Sequence, residues 1–545
     1  MEVGLGKVMF VARRIHTMDP ACPVADRVLV SGDGRILAVG TADAMADWGD
    51  FDIDNRFADA VLMPGLVEAH AHLMEGAIWQ HLYLGHYDRV RPDGQVARGA
   101  TSMTEVADRL REWAAYHPAG PLIAWGFDPL FIDGPRPTRH DLDAAISDRP
   151  VVILHSNMHL LTANTAALEL ARYGDATDVP GVLKGADGTL HGELHEMGAM
   201  FPVMRRVGAS FRDLTTSESG LLNFARSAER AGVTTSTDLV ADLADDQVEL
   251  LSRVTAQPDY PVRIVPMLAA HTAPPDQLAK RALSLAGQSH DRLRLGGVKI
   301  VTDGSIQGFT AQLRWPGYYR GEDNGFWNIA PEALDTLVAV LHRAGVQMHI
   351  HVNGDAASEA AIDAIEKALA AANRPDHRHT LQHCQLADAA QFRRMARLGC
   401  CVNLFANHLY YFGDKHFEVT IGPDRAQRMN ACRTALNSGV PLAIHSDAPI
   451  TPLAPLFTAW CAETRKTATG RVLGPQERLT RAEVLQAVTL GAAYTLRLDH
   501  EIGSIEVGKR ADFTVLDDDP YQIDDLRKVR VRGTVLGGRP SPALA

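Results

Sequence analysis

GGVKIVTDGS, residues 296–305, contains an uncharged apolar run broken at one point by Lys299, and it reads as a buried strand. A lysine in such a place is costly unless it is neutralised, paired or used. The same texture recurs along the chain. Similar runs are VLMPGLVEAHAH (61–72), GVTTSTDLV (232–240), VRIVPMLAAH (262–271) and LRLGGVKIVTDG (293–304). They continue with GVQMHIHVN (345–353), RHTLQHCQL (378–386), GCCVNLFANH (399–408) and VPLAIHSDAP (440–449). From the second onward, helical segments separate them. PEALDTLVAVLHRAG (331–345) has Pro331 at a first helical position, and DAAQFRRMARLG (388–399) runs from Asp to Gly. TRAEVLQAVTLGAAYTLRL (480–498) opens on a capping box of Thr480 and Glu483. Eight strands alternating with helices predict an α/β fold, a (β/α)8 TIM-type barrel over residues 63–502.

The two ends differ from this middle. KVMFVA, RVLVSGDGRILAVG and FDIDNRFADAVLMPG at the start match GSIEVGKRADFTVLD and VRVRGTVLGGR at the close in their β-rich texture. They predict a small composite β-sandwich built from residues 1–62 and 503–545, with SGDG (31–34) as a hairpin turn. The long stretch between the first two barrel strands has short strands of its own, PLIAWGFD (121–128) and RPVVILHSNMHL (149–160). It predicts an inserted α/β subdomain, residues 86–225, over the barrel mouth, where loops shape access.

Composition narrows the class. The chain of 545 residues is 46% hydrophobic and 22% charged, as expected of a globular enzyme. A net charge of −12 with no basic stripe argues against nucleic acid or an anionic membrane as partner. The six cysteines (22, 384, 400, 401, 432, 461) show no C-x-x-C spacing and read as reduced thiols. MEVGLGKVMFVARR at the start lacks the pattern of a signal peptide, and no apolar run reaches membrane-spanning length. The expectation is a cytoplasmic protein acting on a small molecule, with a homodimer left open.

Five barrel strands carry an ionisable residue near the C-terminal end, the face on which barrels place their sites. These are His70 and His72 on the first, Lys299 on the fourth, His351 on the fifth, His383 on the sixth and Asp447 on the eighth. His70 and His72 are two apart and share one face of a strand. Singly, each has a plain explanation: a core histidine, a cap, a snorkelling lysine. Together they make a ligand set suited to Zn²⁺, or to Mn, Fe or Co.

MPGLVEAHAHL (63–73), GVKIVTDGS, HIHVNGDAA (349–357), LQHCQL (381–386) and AIHSDAPI (443–450) together resemble the amidohydrolase superfamily, in its YtcJ-like, amidohydrolase-3 branch. That branch includes N-substituted formamide deformylases, and GSIEVGKRADFTVLD resembles the strand that closes its chains. The resemblance implies two metal ions, zinc being the first expectation. His70 and His72 would hold one, His351 and His383 the other, with Asp447 on the first ion. Lys299 would bridge them as a carbamate. A buried amine tends towards neutrality, and a neutral amine can add CO₂. His349 competes with His351 and lies on the same strand face.

The implied reaction is hydrolysis of a C–N bond in a small N-substituted amide or formamide by metal-activated hydroxide, Asp447 serving as general base. A deaminase or lactonase on the same site, or an idle binding barrel, are the alternatives. HSNMHLLTANTAAL (155–168) resembles a segment with a substrate-facing histidine, here His159, and Asn164 begins its following helix. FANHLYYFGDKH (405–416) resembles a loop in part of the branch, which would put His408, Tyr410 and Asp414 near the pocket. Trp79, Trp125 and Phe127 are candidate wall aromatics, and Asp303 a candidate orienting group.

Overall fold

The computed structural model describes residues 6–215 and 217–544. Residues 1–5, part of the N-terminal segment read above and of the composite unit, lie outside them. Eight parallel strands stand side by side in chain order. They are β1 (Leu66–Glu68), β2 (Val233–Ala241), β3 (Arg263–Ala269) and β4 (Gly297–Val301), then β5 (Met348–Val352), β6 (Thr380–His383), β7 (Cys401–Leu404) and β8 (Leu442–Ile444). The ring closes just beyond the ends of β1 and β8. There Ala71 bridges Ala448, His72 N–H donates to Ala448 O (2.8 Å), and Asp447 N–H donates to His70 O (3.1 Å). The result is a TIM-like α/β fold.

Period two explains how these strands carry both core and chemistry. Val298, Ile300, Met348, Ile350, Val352, Leu381, Val402 and Leu404 pack outward into one apolar core with the helices. Helix Pro331–Arg343 and helix Ala389–Leu398 contribute to it, the latter held by an Asp388–Gln391 capping box and a left-handed Gly399. The alternate positions, Lys299, His349, His351, Gln382 and Asn403, are buried on the opposite side.

Two expected elements are divided. VLMPGLVEAHAH splits at Gly65, whose backbone passes so close to Thr234 that a Cβ would overlap its side chain. Residues up to Pro64 pair with Phe513–Leu516, and β1 starts at Leu66. TRAEVLQAVTLGAAYTLRL breaks into Arg481–Ala487 and Leu490–Thr495. Between them Val488 O turns out of the helical path to accept from Val67 N–H of β1 (2.9 Å).

The terminal segments do combine, but into one continuous seven-stranded sheet where two sheets of a sandwich are expected. Its order is Arg539–Pro540, Val531–Leu536, Phe513–Leu516, Asp52–Pro64, Val8–His16, Val24–Val30, Ile36–Gly40. Irregular register along Val8–His16 lets that strand bend, and Phe10, Phe57 and Phe513 meet in its core.

The insertion builds a six-stranded sheet from Leu82–Tyr83 to Leu190–His195. It begins before residue 86 and ends before helix Glu218–Arg230, which belongs to the barrel. That helix lies against Met74–Ala77 through Gly76 and Gly220, where added side chains would collide. All six cysteines are free. Among the described residues, no helix is long and apolar enough to cross a membrane.

Candidate metal centre

At the C-terminal end of the barrel the inward positions converge on a cavity of about 460 Å³. His70 Nε2 and His72 Nε2 each lie 3.2 Å from Asp447 Oδ1. His383 Nδ1 lies 3.7 Å from Asp447 Oδ2. The His351 ring is 4.5 Å from that of His383, centre to centre. Lys299 Nζ, also lining the cavity, has no hydrogen-bond partner among the described residues and is 2% exposed. The backbone is left-handed at His383 (φ 70°) and Asp447 (φ 57°), a conformation uncommon for residues other than glycine and one that concentrates at functional sites.

Hydrogen bonds assign the faces of two imidazoles. His70 Nδ1–H donates to Gln382 Oε1 (2.7 Å), which leaves Nε2 with its lone pair turned towards Asp447. His351 Nε2 lies 3.2 Å from Gly304 O and 3.1 Å from Asn353 Nδ2, so these contacts fall on Nε2 and leave the Nδ1 edge to the cavity. His349 accepts from Gln382 Nε2–H (2.7 Å), so it supports the site from behind Gln382 and does not line the cavity.

Burial dominates the electrostatics. It pushes the histidines His70, His351 and His383 well below their ordinary value, so that all three are neutral. It brings the Lys299 ammonium down to about 7, with Asp447 the opposing influence. Glu68 is raised by burial to about 8; it accepts from Ser446 Oγ–H (2.7 Å) and ties the end of β1 to the end of β8.

A divalent cation fits this donor set. Neutral imidazoles, a carboxylate and an amine without a partner are what such an ion binds. The ligand atoms of His70, His72 and Asp447 lie within 4.8 Å of one another, as do those of His70, His383 and His445.

A model of the Amidohydrolase family matches residues 58–542. The chain belongs to the amidohydrolase family. Among curated amidohydrolase relatives, the putative amidohydrolase YtcJ of Bacillus subtilis (strain 168) is 28% identical over 532 residues, 93% of this chain and 94% of that one. The N-substituted formamide deformylase of Arthrobacter pascens is 26% identical over 551 residues, covering 97% of each. An uncharacterized metal-dependent hydrolase from Pyrococcus horikoshii OT3 shares the fold, with a TM-score of 0.72 at 20% identity, over 96% of this chain and 99% of that one.

In this amidohydrolase the other candidate residues divide. His159 lines the cavity from the insertion, its Nδ1 2.9 Å from Glu196 Oε2, its ring 5.3 Å from that of His351. Burial works against its charge, but the Glu196 carboxylate overrides this and raises the His159 pKa. His408 also lines the cavity, on a helix turn of Asn407–Tyr411, and His416 Nε2 lies 3.1 Å from its Nδ1.

Tyr410, Trp79, Asp303 and Asp414 do not line the cavity. Tyr410 follows His408 by two residues, hence about 200° around the helix; its ring packs on Tyr411, Phe457 and Trp460, away from the cavity. Trp79 is core of the insertion, edge-on to Trp125 (4.9 Å) and donating to Glu75 Oε1 (3.3 Å). Asp303 faces the loops, because backbone N–H groups of Gln312, Asn353 and Gly354 capture its carboxylate at 2.9–3.0 Å. Asp303 Oδ1 also lies 3.5 Å from His351 Nε2. Asp414 is held by Thr467 and Thr469 and is likewise absent from the cavity lining.

Sequence reasoning missed Gln382, Glu68, Glu196 and His445. A period-two signal was available for two of them: Glu68 precedes His70 by two residues, and His445 precedes Asp447 by two. Glu196 arrives from the insertion with no local signal.

Proposed function

We propose that this amidohydrolase cleaves the C–N bond of a small N-substituted amide or formamide with two divalent ions, zinc first among them. One observation carries the reading: a buried lysine with no hydrogen-bond partner among the described residues shares a cavity with His70, His72, His351, His383 and Asp447. The relative named N-substituted formamide deformylase supports the choice of bond. The cavity volume suits a small substrate.

His70, His72 and Asp447 would hold one ion, and His351 with His383 the other. Lys299 has an amine pKa of about 7 and adds CO₂ from its neutral form, releasing one proton and gaining an anion with two oxygens. The chemistry supplied by such ions, when bound, is acidification of water and polarisation of a carbonyl. Asp447 takes the proton of the attacking water as its oxygen bonds to the carbonyl carbon. The C–N bond then breaks, and Asp447 returns that proton to the leaving nitrogen. His159, whose charged form the Glu196 carboxylate favours, donates a hydrogen bond to the oxygen on which charge develops.

The test is a hydrolysis screen of N-acyl and N-formyl amines with protein of measured metal content, scoring amine release. Amine release that scales with Zn²⁺ or Mn²⁺ loading is expected. Protein that binds no transition metal and gains no activity from either ion refutes the reading.

A further inference from the structure

His445 lies where β8 ends, two residues before Asp447. Its ring sits between His70 (4.6 Å, 18° between planes) and Phe405 (4.7 Å, 27°), and 5.0 Å from His383. The residue is completely buried, and neither ring nitrogen has a hydrogen-bond partner among the described residues. Packing alone does not account for this. A phenyl ring would fill the slot between His70 and Phe405 without burying two unpaired polar atoms, which natural cores avoid. One ligand atom from each of His70, His383 and His445 falls within 4.8 Å of the others, the spacing of a shared ion.

Across the seam the arrangement is paired. Ala71 bridges Ala448, and each strand end offers two donors two residues apart: His70 and His72 on one side, His445 and Asp447 on the other. From this geometry we infer that His445 is an additional metal ligand, giving the centre a third set of contacts made wholly of imidazole nitrogen: His70, His383 and His445. The inference rests on the metal-centre reading above. A centre so rich in nitrogen favours Zn²⁺ or Co²⁺ over Mg²⁺ or Ca²⁺.

The test compares full-length wild type with His445→Phe, which keeps a stacked ring, and His445→Gln, which keeps a polar side chain if the first variant folds poorly. Bound metal is counted by elemental analysis, Zn²⁺ affinity is measured by chelator competition, and the visible spectrum of the Co²⁺-substituted protein is recorded. The expected result is Zn²⁺ binding weakened by clearly more than about 100-fold, beyond the range of residues that only support a ligand, together with a changed Co²⁺ spectrum. Variants with wild-type stoichiometry, affinity and spectrum overturn the role of His445 and leave the hydrolase reading intact. Wild type that binds neither Zn²⁺ nor Co²⁺ overturns both.

Discussion

The Gln382 carboxamide oxygen lies 2.7 Å from His70 Nδ1, and this bond decides which nitrogen of His70 faces Asp447. Through its amide nitrogen the same side chain also reaches His349. Gln382→Leu keeps the volume and removes the acceptor. It is expected to weaken Zn²⁺ binding by about 10- to 100-fold while leaving the ligands in place. Chelator competition reads this directly, and unchanged affinity would mean that packing alone orients His70.

Lys299→Ala removes an amine from the cavity lining. Metal content and turnover are both expected to fall, with partial recovery on adding acetate or propionate, which can occupy the place of a carbamate. Metal content equal to wild type would count against the bridging role.

Asp447→Asn preserves shape but removes the proton acceptor. Turnover is expected to drop by about 10²- to 10⁴-fold, with the thermal midpoint changed by only a few degrees. Turnover equal to wild type would take Asp447 out of the proton-transfer step.

A pH effect on stability is expected from the far end of the barrel. His342 Nε2–H donates to Ala372 O (2.8 Å), His379 Nε2–H to His342 Nδ1 (2.9 Å), and Met348 N–H to His379 Nδ1 (3.2 Å). His377 beside them donates to Leu398 O (2.7 Å). The chain of bonds needs neutral rings, and burial lowers all three pKa values below the ordinary 6.5. The folded state therefore binds fewer protons than the unfolded one once the pH falls below the unfolded value. The contribution of these rings is whole above that value and is lost as pH drops towards the folded values. His342→Gln should be less stable than wild type at about pH 7.5 but lose less on going to about pH 5.5, as read from urea midpoints. A variant at least as steep as wild type would exclude the trio as the source.

The barrel was legible because strands buried on both faces leave continuous apolar runs, in which Lys299 or His351 stands out. Continuity also hid a boundary. Nothing in VLMPGLVEAHAH marks Gly65, whose role depends on Thr234 of another strand. Likewise the break near Val488 exists to serve Val67 N–H, a partner far away in sequence. Within the site, residues at strand ends were readable by their spacing, whereas Glu196 becomes visible only when the insertion folds over the cavity. Tyr410 and Trp79 show the opposite error: an aromatic near a motif has no sign of which side of its helix it occupies.

The seam between Ala71 and Ala448 has a consequence for synthesis. On a ribosome, His70 and His72 emerge early and Asp447 near the end, so the ring cannot close until most of the chain has been made. A truncated product ending before β8 keeps several lone ligands but has neither a closed barrel nor Asp447. The grouping of His70, His72 and Asp447 is thereby reserved for chains that have been translated past β8.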